Sequence, residues 1–171
     1  MHKFLTRAAS LLTLLLLAAP ASAAWEDTVW GATPDATLAV LGETAKLIEE
    51  NEGQRVWDQH FLIAREGSFH DIAVTQEFFF EDGERLSVIK IKPQNTAECG
   101  QFSDIVMDLL GEVQDTRQSE IGSVLFIARD FSDRESDNAM MLSSIDSDLE
   151  TMQFCHLTYQ PFGDGIPGER K

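Results

Sequence analysis

Apolar residues recur at helical spacing in two short stretches of the chain and at every second position in several others. The first helical stretch opens at Thr33-Pro34-Asp35, with Thr33 as N-cap, Pro34 at the first helical position and Asp35 favoured by the helix dipole. Leu38 and Leu41 continue it, and Gly42 then permits two readings. The helix ends there, or Ala45 and Ile48 prolong the stripe to Glu50, with an internal glycine costing about 1 kcal/mol against alanine.

Asn51-Glu52-Gly53 reads as a turn, followed by a strand over Arg55 to Arg65 whose apolar run is Phe61 to Ala64. Gly67-Ser68 then reverses the chain. Ile72, Val74, Phe78 and Phe80 alternate along the next strand, with Phe79 on the opposite face. Asp82-Gly83 signals a type I′ hairpin, since both central positions of that turn need positive φ. The third strand, Arg85 to Lys92, carries Leu86 and Val88 on one face and Ile89 and Ile91 on the other, so either its phase shifts or both faces are partly buried. Pro93 ends it.

The pattern then begins again. Ser103 is placed to cap a helix over Asp104 to Leu110, with Phe102 and Met107 as a hydrophobic staple and Gly111 at its C-terminus. Strands follow over Ser123 to Asp130, Asn138 to Ile145 and Leu149 to Tyr159, with Asp146-Ser147-Asp148 as the last turn and Pro161 closing the series. The two halves share landmarks. Gly31 to Gly42 and Gly100 to Gly111 both span 11 residues, Leu41-Gly42-Glu43 matches Leu110-Gly111-Glu112, and Phe61-Leu62-Ile63-Ala64-Arg65 matches Leu125-Phe126-Ile127-Ala128-Arg129. The expectation is an α+β fold of two tandem helix-strand-strand-strand units, residues 24–93 and 94–161, followed by a flexible tail over 162–171. Neither helix can bury its stripe alone, so both should pack on one face of an antiparallel sheet, in two three-stranded pieces or one merged sheet.

The first 23 residues change the picture of where this fold works. Lys3 and Arg7 precede the apolar run Leu11 to Ala19, and Ala21-Ser22-Ala23 is a small-x-small cleavage pattern. The run is shorter than the roughly 20 residues needed to span a bilayer, so it reads as a cleaved signal peptide, not a stable membrane anchor. No cysteine follows that would carry a lipid. A periplasmic or secreted location follows. There, Cys99 and Cys155, the only two cysteines, read most simply as one disulfide.

Charge narrows the partners. The formal net is −16, and removing Lys3 and Arg7 from the 13 basic residues leaves 11 against 29 acidic ones, a formal −18. Nucleic-acid binding needs clustered Lys and Arg, so it is disfavoured, and the phenylalanines around Phe78 read as core. Such a charge favours a basic partner or a cation, or serves solubility alone.

Catalytic chemistry finds little support. His70-Asp71 is the one adjacent His–carboxylate pair, and neighbours on a strand point to opposite faces. His60 and His156 stand far away in sequence, Cys155 is committed to the disulfide, and no G-x-S-x-G occurs. No metal site is assigned: HExxH is missing, and Asp130 to Asp137 lacks the glycine and the closing glutamate of a calcium loop. No cofactor fingerprint is present. Trp30 and Phe79 are the candidate contact residues, with the first unit as the contact half.

Trp30-Gly31-Ala32-Thr33-Pro34 followed by Leu41-Gly42 resembles a W-G-x-[ST]-x…L-G pattern at the start of small exported bacterial proteins. The doubled unit, from about Trp30 to Pro161, resembles the tandem-repeat scaffold of secreted beta-lactamase inhibitor protein and of its single-copy relatives among outer-membrane assembly lipoproteins. The chain departs from the lipoproteins in lacking an acylated cysteine, and from the inhibitor in showing one clear helix per unit. The resemblance implies a non-catalytic surface that binds another envelope or secreted protein. The competing expectation is a periplasmic small-molecule or cation binder.

Overall fold

A computed structural model describes residues 25–49, 55–56, 58–147 and 154–162. The expected signal peptide, the turn at Asn51-Glu52-Gly53 and the tail beyond Phe162 lie outside the described residues.

Among the described residues two α-helices and nine strands follow one another: α1 (Pro34–Leu41), β1 (Ala45–Leu47), β2 (Arg55–Val56), β3 (Gln59–Phe69), β4 (Ile72–Glu81), β5 (Arg85–Pro93), α2 (Cys99–Leu110), β6 (Asp115–Ile121), β7 (Val124–Asp133), β8 (Asn138–Ser147) and β9 (Phe154–Pro161). All the strands join one antiparallel sheet in the order β1-β3-β4-β5-β9-β8-β7-β6, with β2 on β3. Two meanders therefore meet through their last strands, β5 and β9.

α1 starts as its sequence dictates, with the Thr33 hydroxyl accepting from the Ala36 N–H. It stops at Leu41, because Gly42 takes φ +73° and the chain leaves as strand β1. The longer helix to Glu50 is thus excluded. α2 starts earlier than expected. Asn95 caps a 3-10 turn over Thr96–Glu98 that feeds directly into Cys99, so Ser103 lies inside the helix and caps nothing.

Three strand expectations also shift. β3 runs through Gly67-Ser68, and the chain reverses at His70-Asp71, both at positive φ (47° and 68°), a conformation that His and Asp tolerate better than most residues. Asp82-Gly83 makes the expected positive-φ turn. In β5 a bulge opposite Phe79–Phe80 lets Leu86 and Ile89 point the same way, which resolves the apparent change of phase. Finally, β6 joins the sheet as an additional strand, and β8 continues through Asp146-Ser147 against Leu125 and Val124. The reversal into β9 lies outside the described residues.

The core occupies one side of the sheet. Phe78, Phe80, Ile89, Ile91, Leu142 and Leu157 point into it from successive strands, and Leu41 of α1 with Phe102 and Val106 of α2 closes it from above. Both helices therefore pack on the same face. Complete burial of Phe102 and Val106 contributes about 1.5–3 kcal/mol each, which a 12-residue helix needs because it is marginal alone. The opening segment lies on this side too, with Trp25 wedged between Phe69 and Tyr159 (ring centroids 6.1 and 5.1 Å).

Candidate interaction surfaces

The fold leaves two chemically different sides, and the sequence dictates the difference. Neither helix carries a single Lys or Arg. On α2 the inward stripe of Phe102 and Val106 forces the intervening positions outward, so Asp104 and Asp108 stand exposed one turn apart, with exposed Glu112 just past the Gly111 cap. Exposed Asp35 and Glu43 extend this charge at α1. Arg65 of β3 and Arg129 of β7 are the sheet cations on this side; Glu26 pairs with Arg65, and Arg129 lines one groove with Asp104. Like charges four residues apart on a helix cost about 0.2–0.5 kcal/mol per pair when no cation intervenes. The helix side is an acidic surface, with more exposed carboxylates than cations around α1 and α2.

No described helix packs on the opposite, open face. Cross-strand register places Lys46, Lys90, Lys92 and Arg117 there against Glu66, Glu77, Asp115 and Asp130, so its charges balance in a chain of net −16. Two of these groups pair with neighbours on the face itself, Lys92 with Glu77 and Arg117 with Asp130 (3.0 Å). Lys90 lies over the Phe79 ring at 5.0 Å, and burial holds its pKa below the ordinary lysine value.

At one end of this face stands an apolar row. Phe126 of β7 pairs with Ile145 of β8, which pairs with Phe154 of β9, and Ile121 lies nearby at the corner on β6. Phe126 and Phe154 are 38% and 41% exposed, and Ile121 67%. A groove of about 250 Å³ runs beside them, floored by Ala128 and Met141 and edged by Arg117. Next to it His156 is mostly buried against Phe154 (4.9 Å between ring centroids), with no hydrogen-bond partner at Nδ1. Burial first, then Lys90 and Lys92, pushes its pKa down to about 4, so it is neutral at pH 7.

The candidate contact residues fall elsewhere. Trp30 is half-buried, packed on the core, and its Nε1 donates to Asn138 Oδ1 at 2.8 Å, which ties the opening segment to β8. Phe79 does point to the open face, but Phe61 (5.4 Å) and Lys90 cover it and leave it 4% exposed. The exposed aromatics thus belong to the second half of the chain. The sequence signal for this is the alternation within Leu125-Phe126-Ile127, which puts Phe126 on the face opposite its two neighbours.

The histidines do not converge. His60 lies on the helix side beside Gly83, His70 occupies a turn with Asp71, and His156 faces the open side. Cys99 and Cys155 form the expected disulfide (Cα–Cα 5.6 Å). Among the described residues no group of three or more His, Cys, Asp or Glu is arranged for a metal ion. In the Asp130 to Asp137 stretch, Asp133 turns inward on its own loop, accepting from the N–H groups of Glu135 and Ser136. Among the described residues no helix is long and apolar enough to cross a membrane. Compared with protein-family models, with curated proteins and with solved structures, the chain matches none.

Proposed function

We propose that the protein is an exported, non-catalytic interaction module that docks a basic protein of the envelope or of the secreted pool onto its acidic helix side. The observation that carries this reading is the separation of charge between the two sides of one sheet. Excess acid spread evenly would serve solubility. Here the open face is balanced, and carboxylates in excess of the neighbouring Arg65 and Arg129 gather around α1 and α2, where Asp104, Asp108 and Glu112 repeat at one-turn spacing. A basic partner relieves that repulsion and is steered to this side by the long-range field.

A periplasmic or secreted address is supported by the leader pattern and by the cysteine pair, which suits an oxidising compartment. The two runs, α1 with β1–β5 and α2 with β6–β9, which meet at β5 and β9, are read as a tandem duplication, in line with the matched glycines and pentapeptides, and the resemblance to a two-unit inhibitor scaffold points the same way. The reading is tested by affinity capture from a periplasmic extract with wild-type protein and with the Asp104→Lys/Asp108→Lys/Glu112→Lys variant. Loss of capture in the variant supports it, and equal capture by both refutes it.

A further inference from the structure

The balanced open face calls for a different occupant from the acidic helix side. We infer that it is the docking surface for a second copy of this chain, the two sheets packing face to face around the row Phe126–Ile145–Phe154.

Charge selects the occupant. Two molecules of net −16 repel, and repulsion is least where each presents as many cations as carboxylates. A basic or an acidic protein gains nothing from a balanced face, whereas a second copy requires one. Burial of this face also orphans few charges, because Lys92–Glu77 and Arg117–Asp130 are already paired within each molecule. Lys90 stands four residues along the ladder from the level of Phe154, so it sits at the rim of a contact centred on the apolar row.

The area suits a weak dimer. Four adjacent strands, β9-β8-β7-β6, spaced about 4.8 Å apart and about eight residues long at about 3.4 Å per residue, present roughly 520 Å² in projection, at the small end of protein interfaces, where micromolar dissociation is expected. The composition fits too, since exposed aromatics at one end of the face with paired charges on the strands beside them supply an apolar anchor and a polar rim. The β6 edge is a poorer route. Its charged Asp115, Arg117 and Glu120 oppose strand-to-strand addition.

The test is the molar mass of the purified, disulfide-intact protein by sedimentation equilibrium, from about 1 to 100 µM, a range that brackets micromolar dissociation. Wild-type protein is expected to reach twice the chain mass. Phe126→Glu and Phe154→Glu each remove a central anchor and add a charge, and each should weaken dimerisation roughly 100-fold. Both side chains are already partly exposed, so circular dichroism and the melting temperature should show an intact fold. Leu109→Glu, on the exposed side of α2, is the control and should dimerise as wild type does. A wild-type monomer throughout the range overturns the inference and leaves the face to a different protein or an apolar ligand. A dimer that persists in both phenylalanine variants overturns it equally, placing the contact elsewhere. Neither outcome bears on the basic partner proposed for the helix side.

Discussion

Cys99 and Cys155 bond the first residue of α2 to the second residue of β9, the strand on which the two meanders meet. The ladder joining β5 to β9 contains three residue pairs, Ile89–Tyr159, Lys90–Thr158 and Ile91–Leu157. The disulfide therefore holds α2 onto β9 and β8, beside this short seam. It also closes a long loop, with a sequence separation of 56.

Replacing both cysteines by alanine should cost about 4 kcal/mol in the chain-entropy account of a loop of this size. Urea unfolding of the variant against the oxidised wild type measures it. Spectroscopic loss of α2 before the sheet would show that the bond acts through the helix.

Trp30 and Asn138 make a second tie across the seam. Trp30→Phe keeps most of the packing and deletes the indole donor, so it should destabilise by about 1–2 kcal/mol, with Asn138 only 6% exposed. The same denaturant titration reads it.

His156 should give the protein an acid-side weakness. Its folded pKa of about 4 lies below the unfolded value of 6.5, so protons bind the unfolded chain preferentially between the two. In the folded chain the ring stays neutral down to about pH 4, so its contribution is fully present above pH 6.5, and stability falls as pH drops from 6.5 towards 4, by about 3 kcal/mol at full extent. His156→Gln should flatten the pH dependence over that window relative to wild type, as followed by melting temperature.

Tyr159 is the one tyrosine of the chain, which makes its ionisation readable by ultraviolet absorbance. Burial, with a smaller effect of Asp133, pushes its pKa up to about 12. The unfolded chain ionises near 10, so this contribution to stability is present below pH 10 and is lost as pH rises towards 12. Absorbance should stay flat to about pH 11 and then rise together with unfolding. A smooth titration centred on 10 in folded protein would contradict the buried position.

Much of the fold was legible because local chemistry and global packing agree. Thr33-Pro34, Asp82-Gly83 and the alternation from Ile72 to Phe80 each specify one local structure, and each adopts it. Failures came where context overrides local preference. Gly67-Ser68 has turn composition, but its backbone is held in the β3–β4 ladder and the Gln76 side chain packs 3.6 Å from where a Cβ would stand. β6 is polar on both faces as far as Glu120, because an edge strand beyond the reach of either helix has nothing to bury, and it gives no alternation to read. The interaction surfaces were hidden for a related reason. Charge balance on one face is a property of register, with Lys90 beside Thr158 and Arg117 beside Ala128, and register between distant strands is not written in local sequence.

Binding to a basic partner through the helix side is the central claim, and the salt-dependent affinity of that partner for wild type and for the Asp104→Lys/Asp108→Lys/Glu112→Lys variant tests it most directly. The partner should be recovered at low ionic strength, have a basic isoelectric point, and weaken at least tenfold between about 0.05 and 0.5 M salt as the screening length falls to a few ångströms. The charge-reversed variant, with a melting temperature near wild type, should lose it at every salt concentration. Affinity equal for the two proteins, or insensitive to salt, would contradict the account.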